Sequence, residues 1–424
     1  MAVEKKIERL ILRKIMTGLF ACILISALPS CTTTGKAPVP EFQIQTEALE
    51  EIPVQVDLET LMFQETHFQD GTEIVTSQTA FDGRDCILLT FAGDLMAHPA
   101  LWRHGEFHRI YQDISDEIRE SDLSFVNLET PVFDQRPYSG YPGFNVHREY
   151  AEAAIEAGFN VFSLTNNHTN DQGLKGIEAT RDFFKEKSEE TKGSERPVYH
   201  AGLKDRRNGP LTYQYIEVNG WKILYVAITE LLNTPSYSYM IDYVPPTSSA
   251  RNSFVASIKK LREENPSDLF VISIHCCEPE YVFDIKKQQK SWYERLMDAG
   301  ADVIWVNHPH VAKDWELFPD SDNVPRKMVF YSMGNFISRH EKRNNTGEGF
   351  MTQLRFERTD DGIRIVEINP ILLTTYRTKD DHYVIRKLDE DFIERLETED
   401  PSQVDFFKER LNFMKKISGK VKWQ

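Results

Sequence analysis

From about residue 85 onward the chain alternates between apolar runs and amphipathic stretches. "CILLTFAGD" (86–94) is a continuous apolar run broken by Gly-Asp, the pattern of a strand buried on both faces that enters a loop. An amphipathic stretch follows near 106–121. "DLSFVNLE" (122–129) predicts a second strand, "REYAEAAIEAG" (148–158) a helix stopped by Gly158, and "FNVFSLTNNH" (159–168) a third strand. "GLKGIEATRDFFKEK" (173–187) predicts a helix. The alternation continues with a strand near 222–229, a helix over 251–264, the strand "LFVISIH" (269–275), a helix over 284–299 stopped by Gly300, and the strand "ADVIWVN" (301–307). Such alternation predicts an α/β fold with a mostly parallel inner sheet flanked by helices. "KMVFYSMGNF", "FMTQLRFER" and "IRIVEINPIL" predict consecutive antiparallel strands, and 388–417 reads as helical.

The polar residues fall where the predicted strands end. The first ends at Asp94, with His98 four residues on; the second at Asn127 and Glu129; the third at Asn166, Asn167 and His168. "LFVISIH" ends at His275, and "ADVIWVN" runs into His308 and His310, which flank Pro309. In open α/β sheets, sites form outside the carboxyl ends of the strands, so this reading brings these side chains to one edge of one sheet. Taken singly, Asp94 also suits a helix N-cap, Asn166 and Asn167 suit turns, and a strand-end histidine suits packing. Taken together they form the mixed oxygen and nitrogen ligand set of Mn, Fe or Zn. There are more of them than one tetrahedral ion uses, and two ions sharing a carboxylate fit better. Residues two apart in a strand point the same way, which lets His308 and His310 serve neighbouring ions.

The N-terminus changes the setting. Lys5, Lys6, Arg9, Arg13 and Lys14 precede the apolar run "IMTGLFACILISALPS" (15–30), which ends before Cys31. That order predicts a secretory signal over 1–30 with lipidation at Cys31, hence a body held outside the cytoplasm on a bacterial membrane. Residues 31–84 are polar and acidic and read as a tether. Residues 85–375 then form the folded domain and 376–424 a helical C-terminal extension. Of the remaining cysteines, Cys86, Cys276 and Cys277, only two are adjacent and none lies in a CxxC, so neither a disulfide framework nor a structural zinc site is expected. The formal net charge of −16 disfavours a nucleic-acid partner.

Five stretches, "AGDLMAH", "NLETPV", "FNVFSLTNNHTNDQG", "GADVIWVNHPHV" and "YSMGNF", resemble the CapA family of poly-γ-glutamate capsule proteins, over roughly residues 86–340. The resemblance implies a metallophosphoesterase-like (calcineurin-like) layered sandwich. It implies that Asp94 and His310 bind one divalent ion, that Asn167, His275 and His308 bind a second, and that Glu129 bridges them. It implies His168 as general acid, with Asp171 holding its other ring nitrogen. Gly334 and Asn335 of "YSMGNF" are expected to shape a turn beneath the site. Two departures stand out. "HCCEPEY" (275–281) replaces the family's usual H-W-G-x-E-Y, leaving Glu278 and Glu280 open as substrate-side acids or exposed loop charges. Asp94 and His98 are spaced Asp-x3-His rather than Asp-x-His, so His98 is expected outside the centre.

Two functions follow as expectations. One is an envelope-anchored, metal-dependent hydrolase acting on a phosphoester or a capsule-type polymer. The other is a non-catalytic component of anionic polymer assembly or export, partnered with capsule-synthesis machinery.

Overall fold

The computed structural model describes residues 85–339 and 345–417. The signal, the lipidation position Cys31 and the tether lie outside the described residues. Among those described, no helix is long and apolar enough to cross a membrane.

Among the described residues, fourteen strands form two sheets. The strands are β1 (Cys86–Leu95), β2 (Leu123–Leu128), β3 (Val161–Ser163), β4 (Tyr199–Ala201), β5 (Gln214–Val218), β6 (Trp221–Thr229), β7 (Leu269–His275), β8 (Val303–Asn307), β9 (Trp315–Pro319), β10 (Pro325–Phe330), β11 (Asn335–Ile337), β12 (Glu348–Thr359), β13 (Gly362–Arg377) and β14 (Tyr383–Lys387). The first sheet runs β14-β13-β12-β1-β2-β3-β4, with β11 pairing alongside β1. The second runs β5-β6-β7-β8-β10-β9. In the first, β1 to β4 are parallel and β12 to β14 join them antiparallel. In the second, β6, β7, β8 and β10 are parallel between antiparallel edges.

The sheets face each other across a core. Ile87, Leu89, Phe91, Leu123, Phe125 and Val161 from the first sheet pack with Ile223, Tyr225, Leu269, Val271, Val303 and Trp305 from the second. The other face of each strand also buries apolar residues, against helices. Helices α1 (Arg148–Ala157) and α2 (Gly173–Glu190) cover the first sheet, while α3 (Ser248–Glu264) and α4 (Lys287–Asp298) cover the second. Burial on both faces explains the unbroken apolar runs, each large side chain contributing about 1.5–3 kcal/mol. Gly158 ends α1 at φ +121, as read from the sequence.

Four expectations change. The single inner sheet is two sheets, because parallel strands buried on both faces look alike in sequence whichever sheet they join. The third strand stops at Ser163, and 164–168 is loop. "KMVFYSMGNF" splits: β10 ends in the second sheet at Phe330, and the chain crosses to pair β11 with β1 in the first. That crossing needs glycine. A Cβ on Gly93 would lie 2.0 Å from the Gly334 carbonyl oxygen, and Gly334 itself has φ +72. Finally, the boundary at 375 falls inside β13, and β14 follows before helices α5 (Glu390–Glu399) and α6 (Val404–Ile417). Phe392, Leu396, Phe407 and Leu411 of these helices complete the inter-sheet core, so they form part of the domain.

Candidate metal centre

The carboxyl ends of both sheets meet at one buried cluster. β1 delivers Asp94, and Asn127 lies opposite it in the β2 register. Glu129 follows β2, its backbone N–H donating to Leu95 O at 3.1 Å. His275 closes β7 and pairs in register with Asn307, the last residue of β8. His308 and His310 lie beyond β8, in turn conformations at φ +102 and +55. They are therefore not neighbours along a strand. The two imidazoles approach from a strained turn, His308 holding a positive φ against the extended backbone that a following proline favours.

The ligand atoms of Glu129, His308 and His310 lie within 4.8 Å of one another, and so do those of Asp94, Glu129 and His275. Glu129 belongs to both groups. These groupings cross the pairing that the family resemblance implies, which joins Asp94 to His310 and His275 to His308. Asn167 Oδ1 lies 2.9 Å from His275 Nε2, and His308 Nδ1 lies 3.1 Å from the same nitrogen. His310 Nδ1 is 3.2 Å from Asp94 Oδ2. All six residues thus converge. His98 does not join either group; it packs edge-on to Phe144, with ring centroids 5.4 Å apart.

Both carboxylate oxygens of Glu129 are buried without a hydrogen-bond partner. A bare buried carboxylate costs several kcal/mol unless a cation or proton satisfies it. Burial pushes its pKa well above the usual carboxylate range, and Asp94 adds to the rise. Burial and neighbouring imidazoles hold His275 and His308 well below the usual histidine range, so both are neutral with a lone pair to offer. At His310 burial opposes charge, but the carboxylates of Glu129 and Asp94 prevail and lift its pKa to about 10. The cluster attracts positive charge. A proton on His310 meets that demand in part, and a divalent cation held by carboxylate oxygens and imidazoles would meet it more fully. The donor set therefore fits a divalent metal.

Beside the cluster, His168 Nδ1 lies 2.7 Å from Asp171 Oδ2, which also accepts the Phe144 N–H at 2.8 Å. Nε2 is then the ring nitrogen that can exchange a proton with a bound molecule. Asn233 links this pair to the cluster, its Oδ1 3.3 Å from Asn167 Nδ2 and its Nδ2 3.2 Å from His168 Nδ1.

Five residues were not assigned these roles from sequence. Asn127 donates to Asp94 Oδ1 at 2.7 Å and lies 3.3 Å from His275 Nδ1, holding two candidate ligands at once. Asn335 Oδ1 meets His310 Nδ1. Asn233 joins Asn167 to His168. Lys313 and Glu278 form a buried ion pair at 2.7 Å, which makes Glu278 a structural anchor and not a substrate-side acid. Glu280 is exposed, and its charge acts on Glu129 and His310. Asn127 carried a signal as a strand-end amide and Asn335 as part of "YSMGNF"; Asn233 and Lys313 had none.

The chain matches the model of the family described as "Bacterial capsule synthesis protein PGA_cap" over residues 88–340. It is 27% identical over 331 residues to "Capsule biosynthesis protein CapA" of Bacillus anthracis, covering 75% of this chain and 74% of that one. It is 25% identical to "PGA biosynthesis protein CapA" of Bacillus subtilis (strain 168), covering 72% and 79%. Among solved structures, a hypothetical protein from Thermus thermophilus aligns with a TM-score of 0.42 at 16% identity, covering 68% of this chain and 98% of that one. The calcineurin-like phosphoesterase YfkN from Bacillus subtilis aligns with a TM-score of 0.39 at 12% identity, covering 76% and 99%. With the five motif stretches spread across the matched span and the strand-tip residues gathered in one cluster, the chain belongs to the bacterial capsule synthesis family PGA_cap.

Proposed function

We propose that this protein is an envelope-anchored hydrolase with a dinuclear divalent-metal centre of Mn, Fe or Zn, working in poly-γ-glutamate capsule synthesis on a phosphoester or a capsule-type polymer. The observation that carries the reading is Glu129, a buried carboxylate whose two oxygens have no hydrogen-bond partner, common to two groups of ligand atoms. Asp94, Glu129, Asn167, His275, His308 and His310 would hold the ions. When bound, such ions supply Lewis acidity at the reacting oxygens and lower the pKa of water. Asn127 and Asn335 orient the ligands. His168, aligned by Asp171, delivers a proton to the leaving group through Nε2. The setting is extracytoplasmic, with the body tethered through a lipid on Cys31. Replacing Cys31 with Ala should move the protein out of the membrane fraction; a variant that stays there with its N-terminus intact overturns the lipid anchor.

A second reading is a non-catalytic component of anionic polymer assembly, since the relatives' names give capsule and PGA biosynthesis and no reaction. The two separate in one experiment. The purified chain is loaded with Mn²⁺, Fe²⁺ or Zn²⁺, its bound metal is counted, and it is offered an alkyl phosphoester, an activated aryl phosphoester and poly-γ-glutamate. Hydrolysis of any of these supports the hydrolase. Stoichiometric metal without turnover of any of the three supports the assembly component.

A further inference from the structure

Tyr141 is 77% exposed, the most exposed large apolar side chain among the described residues. Its loop, residues 138–144, is nonetheless tightly braced. Ser139 and Asn145 exchange both backbone hydrogen bonds at 3.0 Å, and Ser139 Oγ donates to Gly143 O at 2.6 Å. A Cβ on Gly140 would lie 2.5 Å from Pro99 Cδ, so the loop sits directly on that proline. Asn145 Nδ2 donates to the carbonyls of Phe133, Arg136 and Pro137, each at 3.0 Å. Phe144 is tied by its N–H to Asp171 and by its carbonyl to Gln172 Nε2 at 2.9 Å. A rigid loop that shows an aromatic ring to solvent has spent its ordering cost before any ligand arrives.

The ring stands in a specific place. Its centroid is 6.5 Å from that of His168 and 6.5 Å from that of Phe144, and Phe144 in turn packs edge-on to His168 at 4.6 Å. Asn233 stands between His168 and the metal ligand candidate Asn167, 3.2 Å from His168 Nδ1 and 3.3 Å from Asn167 Nδ2. A ring carried by a group that takes a proton from His168 comes within reach of Tyr141. An exposed phenol face binds flat, weakly polar surfaces: an aryl ring, or the apolar face of a sugar.

We infer that Tyr141 is a specificity-determining residue that receives the leaving group, and that the natural leaving group bears a ring. This deepens the hydrolase reading and rests on it. The phosphorus end is held by the metal cluster, the leaving oxygen faces His168, and the ring lies on Tyr141. Small alkyl leaving groups reach the cluster and His168 but gain nothing from the loop.

The test reads binding, which needs no turnover. The full chain loaded with Mn²⁺ is titrated by calorimetry with methylphosphonate, phenylphosphonate and a C-glucosyl phosphonate. Within each protein, methylphosphonate is the reference. Wild type is expected to bind one of the ring-bearing ligands roughly 3- to 10-fold tighter than the reference, the worth of one aromatic contact. In Tyr141→Ala that ratio should fall to about 1, and in Tyr141→Phe it should return, since the ring face is kept. Gain with the phenyl ligand alone identifies an aryl leaving group, and gain with the glucosyl ligand alone a sugar. Equal binding of all three by wild type, or a ratio unchanged in Tyr141→Ala, overturns the role of Tyr141 while leaving the hydrolase reading intact. If metal-loaded protein binds none of the three, methylphosphonate included, the phosphoester reading itself fails, and this inference fails with it.

Discussion

Asn335 Oδ1 lies 3.0 Å from His310 Nδ1. The orientation of this amide is fixed, because its Nδ2 donates to His310 O at 3.3 Å and to Thr346 O at 2.9 Å. Its oxygen must then accept, so Nδ1 of His310 carries a proton. In the neutral ring Nε2 keeps the lone pair, and it lies 3.6 Å from Glu129 Oε1, facing the cluster. A residue at the start of β11 thus sets the tautomer of a candidate ligand from the other sheet.

Replacing Asn335 with Ala should weaken divalent-metal binding by roughly 10- to 100-fold, the usual worth of a partner that orients a ligating histidine. Asn335→Asp should restore much of it, since an acceptor oxygen returns. Metal competition with a chromogenic chelator measures both. An alanine variant with wild-type affinity would remove Asn335 from the centre.

His310→Ala and His168→Ala should fail differently. The first removes a nitrogen donor from the cluster and should lower bound metal at equilibrium. The second should keep its metal and slow hydrolysis by roughly 10²–10⁴-fold, less for substrates whose leaving group needs no proton. Metal analysis and rates on the same preparations decide the matter. Loss of metal from His168→Ala would make it a ligand.

Lys313→Ala should cost about 3–5 kcal/mol of unfolding free energy, because it strands the buried carboxylate of Glu278. Lys313 also donates to Asp284 O at 3.1 Å, so the loop 278–286 loses both of these ties to Lys313 at once. The removal of both charges, in Glu278→Gln with Lys313→Met, should cost much less than Lys313→Ala alone. Urea denaturation of the three proteins tests the order.

Glu348, the first residue of β12, is buried, and both its oxygens lack hydrogen-bond partners. Burial raises its pKa to about 7, against an unperturbed 4.5. A carboxyl whose pKa is raised on folding stabilises the fold fully below 4.5, and that contribution is lost as pH climbs through 7. Glu348→Gln should therefore leave stability near pH 4 unchanged and raise it at pH 8 by roughly 3 kcal/mol. Equal denaturation midpoints for the two proteins at pH 8 would show that the carboxylate finds a partner on ionising.

Much of the centre is legible in the sequence because buried parallel strands write themselves as apolar runs, and a polar residue at the end of such a run has few places to go. Asp94, Glu129, His275 and His308 all carry that signature. Membership of one sheet or the other carries none, since Phe91 and Val271 face the same core from opposite sides. The turn at His308 had no sign in the sequence, because a proline pushes the residue before it toward extended backbone and His308 lies at φ +102. Asn233 and Lys313 are single polar residues in loops, and only tertiary packing gives them their partners. Asn335 reads as a turn residue until β11 is seen to cross between sheets.

Because its candidate ligands come from opposite sheets, the centre bears on how long the fold stays closed. Asp94, Glu129 and Asn167 extend from the first sheet, while His275, His308 and His310 extend from the second. An ion shared among them would act as a rivet through the sandwich. With such an ion held by both layers, they could not slide or peel apart without first releasing it, so both the stability and the barrier to opening would rise. Where proteases wait for transient openings, such a rivet would lengthen the protein's working life, and a strong chelator would shorten it.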